Sequence, residues 1–412
     1  MRKPSVLIIF ITVFIDLVGF GIVIPLIPVY SKRFGAPGWE LGLLMASFSL
    51  MQFIFAPILG RLSDRIGRRP VLLFSTAGAA ISYCIFAFGS GLEGQTAVTF
   101  LFISRIFAGI CGGNIGVAQA YIADITPPDQ RSKKLGLIGM AFGLGFTLGP
   151  IFGSFAFEYF GISGPGWVAA AMCATNLFLA FFILAESRVG NSEMAKPLPH
   201  LDQFIHTIRR PKVGLLIGVF FMATFCFTCF ETTLVIMVLP KFKIIPDSVE
   251  GIKTARNLFI FSGLIGAMFQ GGMTGRLVKM MGEPKLVALS LMMVGLSLGP
   301  MPFATTWTQI CILLAALAIG SGMVRPPVFG MISRLTSANE QGVTIGVAQS
   351  AGSLARIAGP CFTGLLYSQG VALPYLCCGV LSLLTGLIAW NKLSTVPPAP
   401  PSSTALESVE AA

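Results

Sequence analysis

The chain is predicted to be an all-α polytopic membrane protein, with twelve transmembrane helices in two pseudo-symmetric six-helix bundles. Three observations predict it. The 412 residues are 54% hydrophobic and only 11% charged, with a mean hydropathy of +0.82, which excludes a soluble domain with an ordinary polar surface. The cations are one-sided: of 28 Lys and Arg, 19 fall in the termini and loops that alternating spans leave on one face, and 6 in the opposite loops, while Arg105, Arg325 and Arg356 lie within apolar spans. This positive-inside pattern puts both termini in the cytoplasm, and it accounts for the net charge of +11 without a nucleic-acid partner. Finally, the two halves repeat. An offset of 215 carries Asp16 onto Glu231, Pro25 onto Pro240, Gly60-Arg61-Leu62 onto Gly275-Arg276-Leu277 and Gly67 onto Gly282. An offset of 210 carries Gly112 onto Gly322, Thr126 onto Thr336, Gly136 onto Gly346 and Gly149-Pro150 onto Gly359-Pro360. Duplication of this kind implies two halves related by an axis along the membrane normal.

Taken in order, the spans are 5–30, 41–60, 70–90, 97–124, 133–160, 165–185, 213–239, 255–275, 285–303, 307–335, 340–367 and 371–391, each near the ~20 residues that crossing requires. Met1-Arg2-Lys3 and the apolar run to Tyr30 lack a small-residue cleavage site, so this segment reads as a retained first helix. The polar stretch 186–212, with Arg188, Lys196, Pro197, Pro199, Arg209 and Arg210, is the expected cytoplasmic linker between bundles 1–185 and 213–392. The Pro- and Ser-rich tail 393–412 is expected to be disordered. All nine cysteines fall in spans and read as small buried apolar residues, Cys226-x-x-Cys229 and Cys377-Cys378 included. His200 and His206 fall in the linker. With no metal-ligand spacing and no nucleophile–base constellation, neither a metal site nor an enzymatic activity is expected.

The stretch from Gly60 to Pro70 packs Arg61, Asp64, Arg65, Arg68 and Arg69 between two twenty-residue flanks free of formal charge. It reads as a short aqueous loop in which Gly60 and Gly67 let two helices end and turn, and Asp64 pairs with its neighbouring cations. Followed by Val71-Leu72-Leu73, it resembles the signature loop between the second and third helices of the major facilitator superfamily. Its wording is most similar to the tetracycline and multidrug efflux branch of drug:proton antiporters. The resemblance implies a secondary active transporter that works by alternating access, exporting amphipathic drug-like compounds on the proton gradient without a cofactor. It further implies a monomer in the lipid bilayer of a bacterial inner membrane. In that family the acid and arginine at Asp64 and Arg65 help form an intracellular latch with helix ends and the acid after helix four, here Asp124. Gly60, Asp64, Arg65, Gly67, Arg68 and Asp124 are accordingly the expected gate, made and broken as the transporter rocks.

Charges within spans point to the centre of the molecule. An ionised carboxylate in hydrocarbon is costly, so Asp16 and Glu231 each need water, a cation or a proton. If spans one and seven face a central cavity, both acids face it and form a proton-coupling or cation-binding pair; the plainer reading is a static hydrogen bond to backbone or to a buried arginine. Arg105 opens Arg105-Ile106-Phe107-Ala108-Gly109, which resembles the fourth-helix motif of proton-linked facilitators, and so it joins the coupling set. Gly136, Gly145, Gly149, Pro150 and Gly153 follow G-x8-G-x3-G-P-x2-G, resembling the fifth-helix antiporter motif and favouring export; Ser154 departs from its usual second glycine. Arg356 is the expected cavity arginine, and Arg325 is read as structural beside a helix broken at Pro326-Pro327. Gln52, Asn114, Gln119, Gln270 and Gln349, with Arg356, are the candidate substrate wall, amid an adaptable supply of 35 Phe and 17 Met. The competing reading is a proton-coupled symporter or organic-anion carrier, favoured if both Arg325 and Arg356 reach the cavity. No histidine lies in a span and Ser82 stands where tetracycline exporters tend to carry an acid, so tetracycline itself is not the expected substrate.

Overall fold

The computed structural model describes residues 5–126, 128–187, 200–336 and 341–393. The predicted tail beyond Leu393 and residues 188–199 of the linker, with Arg188, Lys196, Pro197 and Pro199, lie outside the described residues. In hydrocarbon every backbone N–H and C=O must be paired within its own segment, which makes each apolar run a helix. The first span is α1 (Val6–Val23) and α2 (Leu26–Arg33), separated at Pro25. Next come α3 (Gly38–Ile66) and α4 (Arg68–Ser90). The fourth span is α5 (Gly94–Cys111), a 3₁₀ turn at Gly112–Asn114, and α6 (Ile115–Asp124). The first half closes with α7 (Pro128–Phe160) and α8 (Gly164–Ile183). A short helix α9 (His200–Arg209) precedes α10 (Pro211–Lys241). The eighth span is α11 (Val249–Met268), a π turn at Phe269–Met273, and α12 (Thr274–Met281). Then follow α13 (Glu283–Leu298), α14 (Trp307–Arg334), α15 (Gln341–Gln369) and α16 (Leu373–Leu393). Among the described residues, nine helical runs are long and apolar enough to cross a membrane by length and composition.

Two expectations are corrected. Helix α3 does not stop at Gly60 but continues to Ile66, so Arg61, Asp64 and Arg65 ride on the helix. A helix can run on into water with its hydrogen bonds intact, and the turn is then left to one residue, Gly67, at φ +102°. Gly282, its mate at offset 215, makes the same one-residue turn between α12 and α13 at φ +79°. Nor does Pro326-Pro327 break α14, which stays helical to Arg334. Proline is tolerated in such a helix because packed neighbours can re-satisfy the freed backbone groups.

The apolar core tells the two faces of the molecule apart. On the face away from Gly67, one continuous cluster joins both halves, with Tyr30, Leu41 and Phe86 of the first packed together with Leu234, Leu239 and Tyr375 of the second. On the Gly67 face each half keeps its own cluster: Ile9, Leu59, Tyr121 and Leu184 in one, Leu216, Leu291, Met331 and Leu393 in the other. Among the described residues the halves therefore share one buried core on one face and keep separate ones on the other. Two ion pairs cross the closed face, Arg33–Asp247 and Lys253–Glu158, each at 2.7 Å. There, too, Gly42 of α3 lies directly against the Pro360 carbonyl of α15, where any side chain would collide.

Surface pairs contribute only ~0–1 kcal/mol each. Removing both together, as Arg33→Gln with Lys253→Gln, is expected to shift the closed face toward opening by up to ~30-fold. Hydrogen exchange of residues 26–36 and 244–252 checks this; unchanged exchange in the double variant contradicts the crossing pairs as a seal.

Candidate functional site

Asp16 stands half-buried on α1 and lines a cavity with about 680 Å³ of empty space, part of it open to solvent. Its carboxylate accepts from Asn114 Nδ2 at 3.1 Å and from Asn176 Nδ2 at 3.3 Å. Asn176, on α8 and almost fully buried, also donates to the Thr12 carbonyl at 3.0 Å, which locks its orientation. The 3₁₀ turn is what brings Asn114 to this place. It exposes the Gly112 carbonyl to Gln52 Nε2 of α3 at 2.8 Å, while Gly109 and Gly113 let α5 approach the backbone of α3 so closely that a Cβ would clash with Phe48 and Ala56. Phe20, Phe48 and Tyr83 supply the aromatic walls. The lining drawn from the second half is Arg356.

The other sequence candidates divide. Glu231 is half-buried on α10 and does not line this cavity. Neither Asp16 nor Glu231 forms an ion pair among the described residues. Arg105 is only 1% exposed, and its Nε and Nη2 find no hydrogen-bond partner among the described residues. Its guanidinium lies 5.6 Å from the Phe86 ring centre, 5.8 Å from Tyr83 and 6.0 Å from Phe48, behind the cavity wall, where aromatic faces compensate part of its charge. Arg325 is turned aside: it donates to Gln349 Oε1 at 3.3 Å and covers the Phe329 ring. Gln349 is thus taken by Arg325, Gln119 is half-buried away from the cavity, and Gln270 is exposed on the π turn, so none of these three lines it. Gln52, Asn114 and Arg356 do. Asn176 is a site residue the sequence reading missed; a lone amide in the apolar run of span six was its signal.

On α7 the glycines serve close packing. A Cβ on Gly145 would strike Leu17, and one on Gly149 would strike Gly21; Gly153 faces Ile22, and Pro150 lies within the helix. The surroundings of Gly136 lie outside the described residues. Ser154, the departure from the motif, accepts from Arg256 Nη1 of the second half at 3.4 Å. A glycine could not.

The gate residues converge at the Gly67 turn, and they do so within the first half. Arg68 pairs with Asp64 at 2.6 Å and Asp124 at 3.1 Å and donates to Ser63 at 2.7 Å, while Arg65 is exposed. Gly60 has open space around it. Two helix ends here exchange caps. Glu186, just past α8, accepts from the backbone N–H of Arg68 and Arg69 at 2.9 and 3.0 Å, at the start of α4. In return Arg69 donates to the Leu184 and Phe181 carbonyls at the end of α8, at 2.8 and 2.7 Å. A side chain on Gly67 would run into the Glu186 carboxylate, a second reason for glycine there. Glu186 was read as linker; nothing local in the sequence showed its partner, which lies 118 residues away. The second half has the same device with the charges exchanged: the offset of 215 carries Arg68 onto Glu283, the offset of 210 carries Asp124 onto Arg334, and these two pair as well.

A model of the Major Facilitator Superfamily matches residues 9–283 and 255–411. The tetracycline resistance protein, class E, of Escherichia coli is 33% identical over 372 residues, 88% of each chain. Multidrug resistance protein 2 of Bacillus subtilis (strain 168) is 27% identical over 389 residues, 93% of this chain and 94% of that one. Among solved structures, the human organic anion transporter MFSD10 (TETRAN) covers 94% of this chain with 100% of its own, at 25% identity and a TM-score of 0.69.

For the exchanged pair, Glu283→Arg or Arg334→Glu alone is expected to cost ~1–3 kcal/mol by leaving like charges together, and the double exchange to restore most of it. Thermal unfolding of the four proteins in detergent checks this. For the caps, Glu186→Ala is expected to lower stability by ~1–3 kcal/mol, since it strips the charged acceptor from the first turn of α4.

Proposed function

The chain belongs to the major facilitator superfamily and is an integral-membrane secondary transporter of small molecules, and from that premise we propose that it exports amphipathic organic compounds in exchange for protons. One observation carries the reading. Asp16 is a carboxylate held by two amides, without an ion pair among the described residues, on the wall of an aromatic-lined cavity between the halves. Such a group can hold either a proton or the cationic end of a substrate, and the two exclude each other; that exclusion is the physical basis of antiport. The amides orient the carboxylate in both states, accepting no proton themselves.

The Gly67 face, where each half buries its own core, carries most of the cations, and the positive-inside pattern supports a cytoplasmic assignment for it, with both termini on the same side. In this conformation a substrate enters from the cytoplasm and the ion-paired face bars its exit. Rocking of the two halves then opens the opposite face. The antiporter-like packing of Gly145 and Gly149 against α1 supports exchange over symport, and the tetracycline- and multidrug-resistance names of the bacterial relatives support a drug-like substrate. The protein acts as a monomer, because each chain already encloses a cavity between its own halves.

A second reading, an organic-anion carrier, is favoured by Arg356 in the lining and by the similarity to the human organic anion transporter. The two are separated by everted vesicles carrying a proton gradient. Asp16→Asn is expected to cut proton-driven uptake at least ~10-fold, and Glu231→Gln to cut it by a smaller factor, while facilitated exchange of substrate persists. Full coupled transport in both variants overturns the proposal.

A further inference from the structure

The face on which the two halves share a core is ringed by aromatic side chains. Trp39, Trp167 and Trp307 are exposed near the starts of α3, α8 and α14, and Tyr159 near the end of α7. Side chains of this kind sit at the headgroup level of a bilayer. Lys253 of α11 pairs with Glu158, the neighbour of Tyr159, and so lies at that level. Arg256 follows one turn later on α11, about 4.5 Å deeper at ~1.5 Å per residue. That depth still falls within a headgroup layer ~5–8 Å thick on each side of the hydrocarbon.

Arg33 and Lys253 on this face each have a carboxylate, whereas Arg256 forms no ion pair among the described residues. Its Nη1 donates to Ser154 of α7 at a long 3.4 Å, its Nε to Asn257 Oδ1 at 3.1 Å, and its guanidinium lies 5.8 Å from the centre of the Phe155 ring. Phe155 is 47% exposed, and Phe152, one turn deeper on the same flank of α7, is 41% exposed. The guanidinium is thus half-buried at the seam of α7 and α11 and opens onto an apolar outer surface. It stays charged at any working pH and carries five N–H donors, so beside hydrocarbon it needs an anionic acceptor. A lipid phosphate at this depth is such an acceptor, and its oxygens match the guanidinium fork. We propose that the outer end of the α7–α11 seam binds one anionic phospholipid, its phosphate on Arg256 and an acyl chain over Phe155 and Phe152. A zwitterionic headgroup fits less well: it brings a second cation beside Arg256, and the nearby Glu158 that would receive it is already taken by Lys253. Because α7 belongs to the first half and α11 to the second, the bound lipid touches both and holds this face together. The site is separate from the cavity and does not depend on what the cavity carries.

The test uses the purified full chain in detergent, titrated with phosphatidylglycerol, with phosphatidylcholine of the same acyl chains, and with glycerol 1-phosphate. Native mass spectrometry counts bound lipid, and hydrogen exchange of residues 244–252 reports on the seam. Wild type is expected to bind one phosphatidylglycerol at least ~10-fold more tightly than phosphatidylcholine, with slower exchange in that segment. Arg256→Gln is expected to lose this preference and the protection, Arg256→Lys to keep part of both, and Lys32→Gln, which removes an exposed charge from the same face, to change them by less than about twofold. Phe152→Ala with Phe155→Ala leaves the charge in place and is expected to weaken both lipids by ~3- to 10-fold, which keeps the site testable if Arg256→Gln does not fold. Equal binding of the two lipids by wild type overturns the inference, as does an unchanged preference in Arg256→Gln. Equal losses in Arg256→Gln and Lys32→Gln also overturn it, by reducing the effect to overall charge. Displacement of the lipid by an equal concentration of glycerol 1-phosphate makes this a site for a soluble phosphate and overturns it too.

Discussion

The carboxylate of Asp16, held between Asn114 and Asn176 in the apolar interior, is the interaction on which the rest of the structure depends. Hydrocarbon does not accept an ionised acid, so the fold must supply polar partners and access to water at this one place. Both requirements shape the helices around it. The fourth span breaks into a 3₁₀ turn that presents Asn114, the sixth contributes Asn176, and the first is pressed against α7 at glycines too close for a side chain. The cavity is what remains between helices fitted in this way.

Duplication built the frame, and divergence set its chemistry. Gly67 and Gly282 make matching turns, and the positions flanking each carry an ion pair whose charges are exchanged between the halves. A pair with its charges exchanged keeps much the same mutual attraction. The central acids diverged further. The first-half acid is held by neutral amides on the cavity wall, whereas the second-half acid is half-buried on α10 and does not line the cavity.

The contrast between the faces follows from where the apolar area lies. On one face a single core runs through both halves and is rimmed by Arg33–Asp247 and Lys253–Glu158; on the other each half buries its own. A shared core resists separation, and separate cores permit it. Ser154 belongs to the closed face, where its hydroxyl receives Arg256 from the other half. A residue that departs from a packing motif is thereby used as a cross-half contact.

From its sequence alone the chain could be read as helical, membrane-bound and duplicated, because apolar run length, charge sidedness and a constant offset are properties of the order of residues and need no partner. The same holds for the candidate acids and for the glycine spacing of α7, since a charge in an apolar run stands out wherever it folds. Contacts across the bundle were beyond it. That Asn176 meets Asp16, that Glu186 caps a helix begun 118 residues earlier, that Arg105 lies among rings and Arg325 on Gln349 while Arg356 reaches the cavity, depended on how helices rotate and pack against one another. Rotation about a helix axis is set by the fit of many neighbours at once, and only the tertiary structure holds all of them together.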